Sequence, residues 1–101
     1  MMSIEISVEQ TAAGGRYVAR AEGVAEAAEI VFLRPDPGRL VAEHTFVPDG
    51  MRGTGVGLRL IERMVDDARR GGYRVLAVCR YVRGQAARHA EWADVLDIAP
   101  D

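Results

Sequence analysis

Apolar and polar residues alternate over most of the first half of the chain, and this period of two predicts β-strands. In the first segment, Ile4, Ile6 and Val8 alternate with serine and glutamate, which is typical of a strand with one face in water. Turn-forming residues at 11–15 and 35–38 interrupt the alternation. The pattern therefore predicts four antiparallel strands, at residues 3–10, 16–22, about 25–33 and 39–47.

The fourth strand ends at Pro48, because proline has no N–H to donate to a neighbouring strand. Strict alternation assigns one face of this strand to Leu40, Ala42, His44 and Phe46. The opposite face then holds Val41, Glu43, Thr45 and Val47. On this prediction Glu43 and His44 point to opposite sides of the sheet and cannot both face one substrate directly.

The apolar period changes from two to that of a helix after residue 55. Apolar residues at Leu58, Ile61, Val65 and Ala68 predict an amphipathic helix over residues 55–70. The continuous apolar run at 75–78 is typical of a strand buried on both faces. Beyond it, residues 82–90 and 91–97 predict two short helices.

These elements predict an α+β fold. A strand, a helix and a second strand within residues 39–79 should form a right-handed parallel crossover. With the antiparallel strands that precede it, the crossover gives a mixed five-stranded sheet with one long helix on one face, followed by short C-terminal helices. A chain of 101 residues corresponds to a single domain, residues 1–101, with one modest core.

Composition limits the kinds of partner that the protein can bind and indicates its cellular compartment. The net charge of −2 argues against a general nucleic-acid-binding protein. No apolar run approaches the roughly 20 residues that a membrane-spanning helix needs, so we expect no membrane partner. Cys79 is the single cysteine, which excludes an intrachain disulfide and favours a reducing interior; we expect a cytoplasmic monomer or homodimer.

The sequence Arg-Gly-Thr-Gly-Val-Gly at residues 52–57 lies between a predicted strand and the long predicted helix. Glycines permit close approach of a ligand, and the unpaired N–H groups at a helix start favour an anion, usually a phosphate. A P-loop would need a lysine, and the chain contains none. A dinucleotide fingerprint would need Gly-x-Gly-x-x-Gly, whereas the spacing here is Gly53-x-Gly55-x-Gly57. A glycine-rich turn that only begins the helix remains an alternative.

Several motifs in order give a more specific interpretation. His44-Thr45-x-Val47-Pro48 is followed by the glycine-rich loop, the amphipathic helix, Cys79 and then Arg88-His89-x-Glu91-Trp92. This series resembles the short, single-domain branch of the GNAT superfamily of acyl-CoA N-acyltransferases, over about residues 23–96. The chain departs from that branch at Ala77, Arg80 and Ala90, where prolines are frequent, and at Trp92, where tyrosine is frequent.

The resemblance implies a coenzyme A site, with acetyl-CoA as the cofactor. The fourth and fifth strands should separate, so that the pantetheine arm lies between them against the backbone of Thr45–Val47. The pyrophosphate should bind the N–H groups of Gly53–Leu58. The implied cofactor-binding residues are Thr45, Phe46, Val47, Arg52, Gly53, Thr54, Gly55, Val56, Gly57, Leu58 and Arg88.

The candidate catalytic residues are Cys79 and His44. Cys79 ends the central strand, where its thiol either accepts the acyl group or lines the reacting centre; a small buried apolar residue is the alternative. An unperturbed imidazole can act as a general base near neutral pH, so His44 is a candidate base; a structural histidine is the alternative. Glu43 is the reserve base through a water molecule, and Tyr81 can donate a proton to the leaving thiolate. We predict no metal site.

The leading functional hypothesis is therefore acetyl transfer from acetyl-CoA to an amine. Only a turn at residues 11–15 separates the first two strands, where other members of the superfamily have helices, so the acceptor side should be open. An exposed protein lysine, a peptide or a polyamine fits such a site. Two alternatives remain: a coenzyme A or acyl-CoA-binding module without fast catalysis, and a structural domain whose glycines serve only the turn.

Overall fold

A computed structural model describes residues 3–100. It contains a six-stranded sheet whose spatial order equals the order along the chain. The strands are β1 (Ile4–Gln10), β2 (Gly14–Ala21), β3 (Ala28–Asp36), β4 (Arg39–Phe46), β5 (Arg74–Ala77) and β6 (Leu96–Ile98). The helices are α1 (Val56–Gly71) and α2 (Arg80–Arg88), with short 3-10 turns at Asp49–Met51 and Ala90–Trp92. The first four strands are antiparallel, and β4, β5 and β6 are parallel.

The core lies between α1 and one face of the sheet. The helix buries its apolar stripe, including Leu60, Ile61 and Met64, against residues of β2 and β3 such as Tyr17 and Phe32. This is the stripe that the sequence predicts, and it fixes the orientation of α1 along the sheet. Within residues 3–100, no helix is both long enough and apolar enough to cross a membrane.

The prediction of five strands is wrong, because residues 96–98 form a sixth strand, and the second predicted C-terminal helix is reduced to the 3-10 turn at Ala90–Trp92. Residues 96–98 pair in parallel with β5, and the N–H of Val75 donates to the carbonyl of Val95 at 2.7 Å. Arg74 binds the Asp97 carboxylate and also the carbonyl oxygens of Ala93 and Asp94. These long-range contacts hold the segment extended, since they satisfy backbone groups along the edge of β5 that a helix would leave unpaired.

A β-bulge in β4 overturns the predicted arrangement of side chains on that strand. Ala42 pairs with Phe32, but His44 pairs with Val31, so Glu43 is the extra residue without a partner in β3. Paired residues on antiparallel strands face the same side, and the bulge therefore exchanges the two faces beyond Ala42. His44 now faces away from α1, whereas Thr45 lies on the core side.

The strands β4 and β5 separate, as the resemblance implies. Their pairing ends at Ala42 and Ala77, whereas β3 continues to pair with β4 as far as Phe46. The N–H groups of Val78 and Cys79 both donate to the carbonyl of Ala42 at 3.0 Å, which closes the narrow end of the gap. Beyond this point the edge of β4 that faces β5 has no strand partner among residues 3–100.

Candidate functional site

The gap between β4 and β5 opens into two adjacent cavities. The loop cavity, of about 340 Å³, lies at the glycine-rich segment and is lined by Val47, Met51, Arg52, Gly53, Gly55, Val56 and Gly57. The thiol cavity, of about 600 Å³, is lined by Glu43, His44, Cys79, Arg80, Gly84, Gln85 and Arg88. Thr45 and Tyr81 line both. The two cavities are therefore adjacent and meet at this pair of side chains; together they are called the groove below.

The start of α1 has the geometry of an anion site. Gly53 and Gly55 both have φ of +79°, a conformation that side chains other than glycine rarely adopt. Gly55 is the N-cap residue, no side chain caps the helix, and its first turn carries no acidic residue. The N–H groups of this turn are therefore available to a ligand, and the helix dipole favours a negative one.

Gly57 has a different role from the other two glycines of the loop. Its φ is not positive, so the backbone does not require glycine there. A Cβ at this position would lie 2.5 Å from the hydroxyl oxygen of Tyr81 and 2.8 Å from Cζ. Glycine at 57 thus allows the ring of Tyr81 to lie over the start of α1, between the two cavities.

The other predicted cofactor-binding residues near the loop differ in whether their side chains can contact a ligand. The Arg52 guanidinium forms an ion pair with Asp49 at 3.2 Å, and both side chains are exposed, so the pair is weak and can open. The backbone N–H and the hydroxyl of Thr54 both donate to the carbonyl of Met51, which assigns Thr54 to the turn. Leu58 packs against the core, and Phe46 is 39% exposed; neither side chain lines the groove.

Cys79 lines the thiol cavity beside Thr45, which lines both cavities. Its Sγ is 3.1 Å from the hydroxyl oxygen of Thr45, and the residue is half-buried at the start of α2. Burial raises the pKa of Tyr81, and the nearby Cys79 raises it further. The Tyr81 hydroxyl therefore stays neutral near pH 7 and can donate a proton into the groove.

The structure brings His44 and Glu43 into the same cavity. The sequence predicts opposite faces for them, but the bulge turns both toward the gap, and each lines the thiol cavity. Both side chains are exposed. The two residues therefore border one cavity, contrary to the expectation that they lie on opposite sides of the sheet.

Arg88 lines the thiol cavity and not the loop cavity. Two other basic residues of this segment, Arg83 and His89, line neither cavity. The His89 ring stacks on Trp92 with centroids 4.1 Å apart, and its Nδ1 is 2.7 Å from the carbonyl oxygen of Gln85. His89 therefore packs at the C-terminal end of α2 and stabilises that turn.

The sequence interpretation missed three residues of the thiol cavity: Arg80, Gly84 and Gln85. A signal for two of them was present. Tyr81, Gly84, Gln85 and Arg88 have the spacing of one helix face, so a helix that placed Tyr81 beside Cys79 would place Gly84 and Gln85 in the same cavity.

A mixed sheet that splits between two parallel strands, with a glycine-rich helix start facing the split, defines a GNAT-like α+β fold. The structure is similar to that of a GCN5-like protein of Staphylococcus aureus solved by NMR in solution. The TM-score is 0.70 at 22% sequence identity, over 93% of this chain and 90% of that chain. At this identity the likeness shows the fold.

The sequence profile of the family described as GCN5-related N-acetyl-transferase matches residues 16–95. This range covers most of the chain, and the protein belongs to this family. The match confirms the resemblance that the order of motifs indicates. No curated protein sequence matches the chain significantly.

Proposed function

We propose that the protein is an acetyl-CoA-dependent N-acetyltransferase that acts on an exposed amine of a protein lysine, a peptide or a polyamine. The observation that carries this proposal is that the cavity at the uncapped start of α1 adjoins the cavity that holds the thiol of Cys79. An anion site at one end of a groove and a cavity lined by titratable groups at the other fit a long cofactor with a pyrophosphate and a reactive thioester. The single free cysteine also fits a reducing compartment, and we propose a cytoplasmic location.

In this proposal the pyrophosphate binds the N–H groups of Gly53–Leu58, with Arg52 released from Asp49 to contact it. The pantetheine arm passes Tyr81 and pairs with the free edge of β4 at Thr45–Val47. Support comes from the end of β4–β5 pairing at Ala42, which leaves that edge without a strand partner. The thioester then lies beside Cys79.

The reaction in the thiol cavity is a direct transfer. The amine nitrogen of the acceptor attacks the thioester carbonyl carbon, and His44 accepts the amine proton, with Glu43 as the reserve base through a water molecule. The carbon–sulfur bond breaks, and the coenzyme A thiolate takes a proton from the Tyr81 hydroxyl. Holding the two reactants in this order supplies much of the rate enhancement. Cys79 lines the reacting centre in this direct transfer; in the alternative route its thiolate first takes the acyl group from the thioester, releasing the coenzyme A thiolate, and the amine then attacks the acylated cysteine.

A second candidate function is a coenzyme A or acyl-CoA-binding module without fast catalysis. The observation that favours it is the exposure of His44, whose ring makes no hydrogen bond within the described residues. A general base is usually oriented by a partner, and His44 lacks one here.

Two measurements separate these functions from each other and from a purely structural domain. Coenzyme A at 100 times its dissociation constant should stabilise the native state by about 2.7 kcal/mol, which a thermal-shift assay detects. Acetyl transfer to amine probes should then fall in His44→Ala, and intact mass should show whether Cys79 becomes acetylated. Binding without transfer supports the module, and absence of binding removes both functions.

A further inference from the structure

Gly84 occupies the interior of α2, where glycine is among the least favourable residues. The backbone does not require it, because its φ is not positive. Packing does not require it either, because a Cβ built at this position would meet no heavy atom within 4 Å. Gly84 therefore leaves open space along one side of α2, and this space belongs to the thiol cavity.

Arg88 lies one helical turn beyond Gly84 on the same face of α2. Some exposed arginines of the protein bind carboxylates, as Arg69 binds Asp94 and Arg74 binds Asp97. Arg88 has no ion pair or hydrogen bond within residues 3–100. The thiol cavity also holds Arg80 and a single carboxylate, that of Glu43, so it carries an excess of positive charge.

The phosphates of coenzyme A do not account for Arg88 if the proposed cofactor orientation holds. The pyrophosphate and the nucleotide lie toward the glycine-rich loop, and the thioester lies toward Cys79. Tyr81 lines both cavities, and Arg88 is seven residues further along α2, about 10 Å by the helical rise. Arg88 thus lies beyond the reacting carbonyl, on the side away from the phosphates.

We propose that the ligand of the thiol cavity carries a carboxylate beyond the reacting carbonyl, and that Arg88 binds this carboxylate in the space left by Gly84. A planar guanidinium is suited to paired hydrogen bonds with a carboxylate. The carboxylate belongs either to the amine acceptor or to the acyl chain of a dicarboxylic acyl-CoA. This inference rests on the proposed function. It narrows the range of proposed acceptors, because a polyamine carries no carboxylate.

Matched ligands distinguish the two sources. L-Lysine and cadaverine differ as acceptors only by the carboxylate, and succinyl-CoA and butyryl-CoA differ in the same way as four-carbon donors. Binding of each is measured by calorimetry on the full chain, in the presence of coenzyme A for the acceptors, and transfer is measured by mass spectrometry. Binding reports on the carboxylate even if transfer is slow.

The wild type should prefer one carboxylate ligand over its matched partner by about tenfold or more, the effect of one charge-assisted hydrogen bond. Arg88→Gln should abolish this preference; its affinity for coenzyme A is measured in parallel, because the family resemblance implies a cofactor contact for Arg88. Arg20→Gln removes the same charge from an exposed site on β2 and should preserve the preference.

Gly84→Ala separates a structural role from a binding role. Alanine should favour the helix and raise Tm by about 4–8 °C, while its methyl group enters the ligand space and weakens binding of the carboxylate ligand several-fold. Ala87→Gly, on the exposed side of the same helix, should lower Tm and keep the preference.

Three results would overturn the inference. The first is equal binding of the two ligands within both matched pairs. The second is an Arg88→Gln variant that loses affinity for coenzyme A but keeps a carboxylate preference. The third is a Gly84→Ala variant that is stabilised and binds carboxylate ligands as the wild type does. If coenzyme A binds and acetyl is transferred without such a preference, only this inference fails. If coenzyme A does not bind at all, the proposed function fails with it.

Discussion

The contact between Gly57 and Tyr81 gives a quantitative test of the groove. Gly57 is the second residue of α1, and a Cβ there would lie 2.5 Å from Oη, 2.8 Å from Cζ and 2.9 Å from Cε2 of Tyr81. These distances are well inside van der Waals contact, so Gly57→Ala requires the ring to move. Tyr81 is 37% exposed, and no protein group in the described residues binds its hydroxyl, so the ring is free to tilt toward solvent.

Two opposing effects set the size of the change. Replacing a helical glycine by alanine stabilises the helix by about 1 kcal/mol. Tilting the Tyr81 ring away from its preferred rotamer costs about 0.5–1.5 kcal/mol. When Tyr81 is present, these two effects nearly cancel, and Gly57→Ala should change the free energy of unfolding little. In a Tyr81→Ala background only the first remains, so Gly57→Ala should then stabilise the protein by the full amount.

The assay is a double-mutant cycle by urea denaturation, which measures the free energy of unfolding of the wild type, both single variants and the double variant. We expect a coupling free energy of about 0.5–1.5 kcal/mol between the two sites. Tyr81→Phe is the matched control, because it removes the hydroxyl but keeps the ring atoms that contact residue 57. It should retain much of the coupling.

The reasoning is refuted if Gly57→Ala stabilises the wild type and the Tyr81→Ala variant equally, by about 1 kcal/mol each. Such additivity would mean that the ring does not lie over the start of α1. The division of the groove into a loop cavity and a thiol cavity would then be incorrect.

Three further predictions concern the core, acid stability and the thiol. Tyr17→Phe removes the 2.8 Å hydrogen bond from a buried hydroxyl to Asp67 and should lower the free energy of unfolding by about 1 kcal/mol; an unchanged urea midpoint would contradict this. The Arg74 guanidinium lowers the pKa of Asp97, so this pair stabilises the fold above the unfolded-state pKa of about 4 and stops doing so as the pH falls through the folded-state pKa. Asp97→Asn should thus lower the urea midpoint at pH 7 but not at pH 2. An equal decrease of the midpoint at both pH values would contradict a stabilising charge pair between Arg74 and Asp97. Iodoacetamide should alkylate Cys79, and saturating coenzyme A should slow the reaction in intact-mass measurements; an unchanged rate would place the thiol outside the site.

Most of the fold follows from local sequence patterns. The period-two segments and the stripe of α1 identify four strands and the long helix, since side-chain burial enforces those periods locally. The extra residue at Glu43 is different, because a bulge is a property of the register between two strands. Nothing in the alternation around His44 reveals that register. The sixth strand likewise depends on contacts from Arg74 and β5 that are distant in sequence.

Some site residues can likewise be recognised from the local sequence, whereas others depend on tertiary contacts. The glycine-rich loop is visible in the sequence because Gly53 and Gly55 are demanded by the local backbone. Gly57 and Gly84 are present for reasons that lie elsewhere in space: the first faces Tyr81, and the second faces open cavity. Their roles could be recognised only after α2 had been placed beside the start of α1.

Titration of isotopically labelled protein with coenzyme A, followed by NMR of the backbone amides, tests the central claim most directly. We predict saturable shifts that are largest for the amides of Gly55–Leu58 and for the free edge of β4 at Thr45–Val47, with a further change at Cys79. Amide shifts that do not saturate, or that lie on the opposite side of the molecule, would contradict the claim that the start of α1 and the split sheet form one cofactor groove.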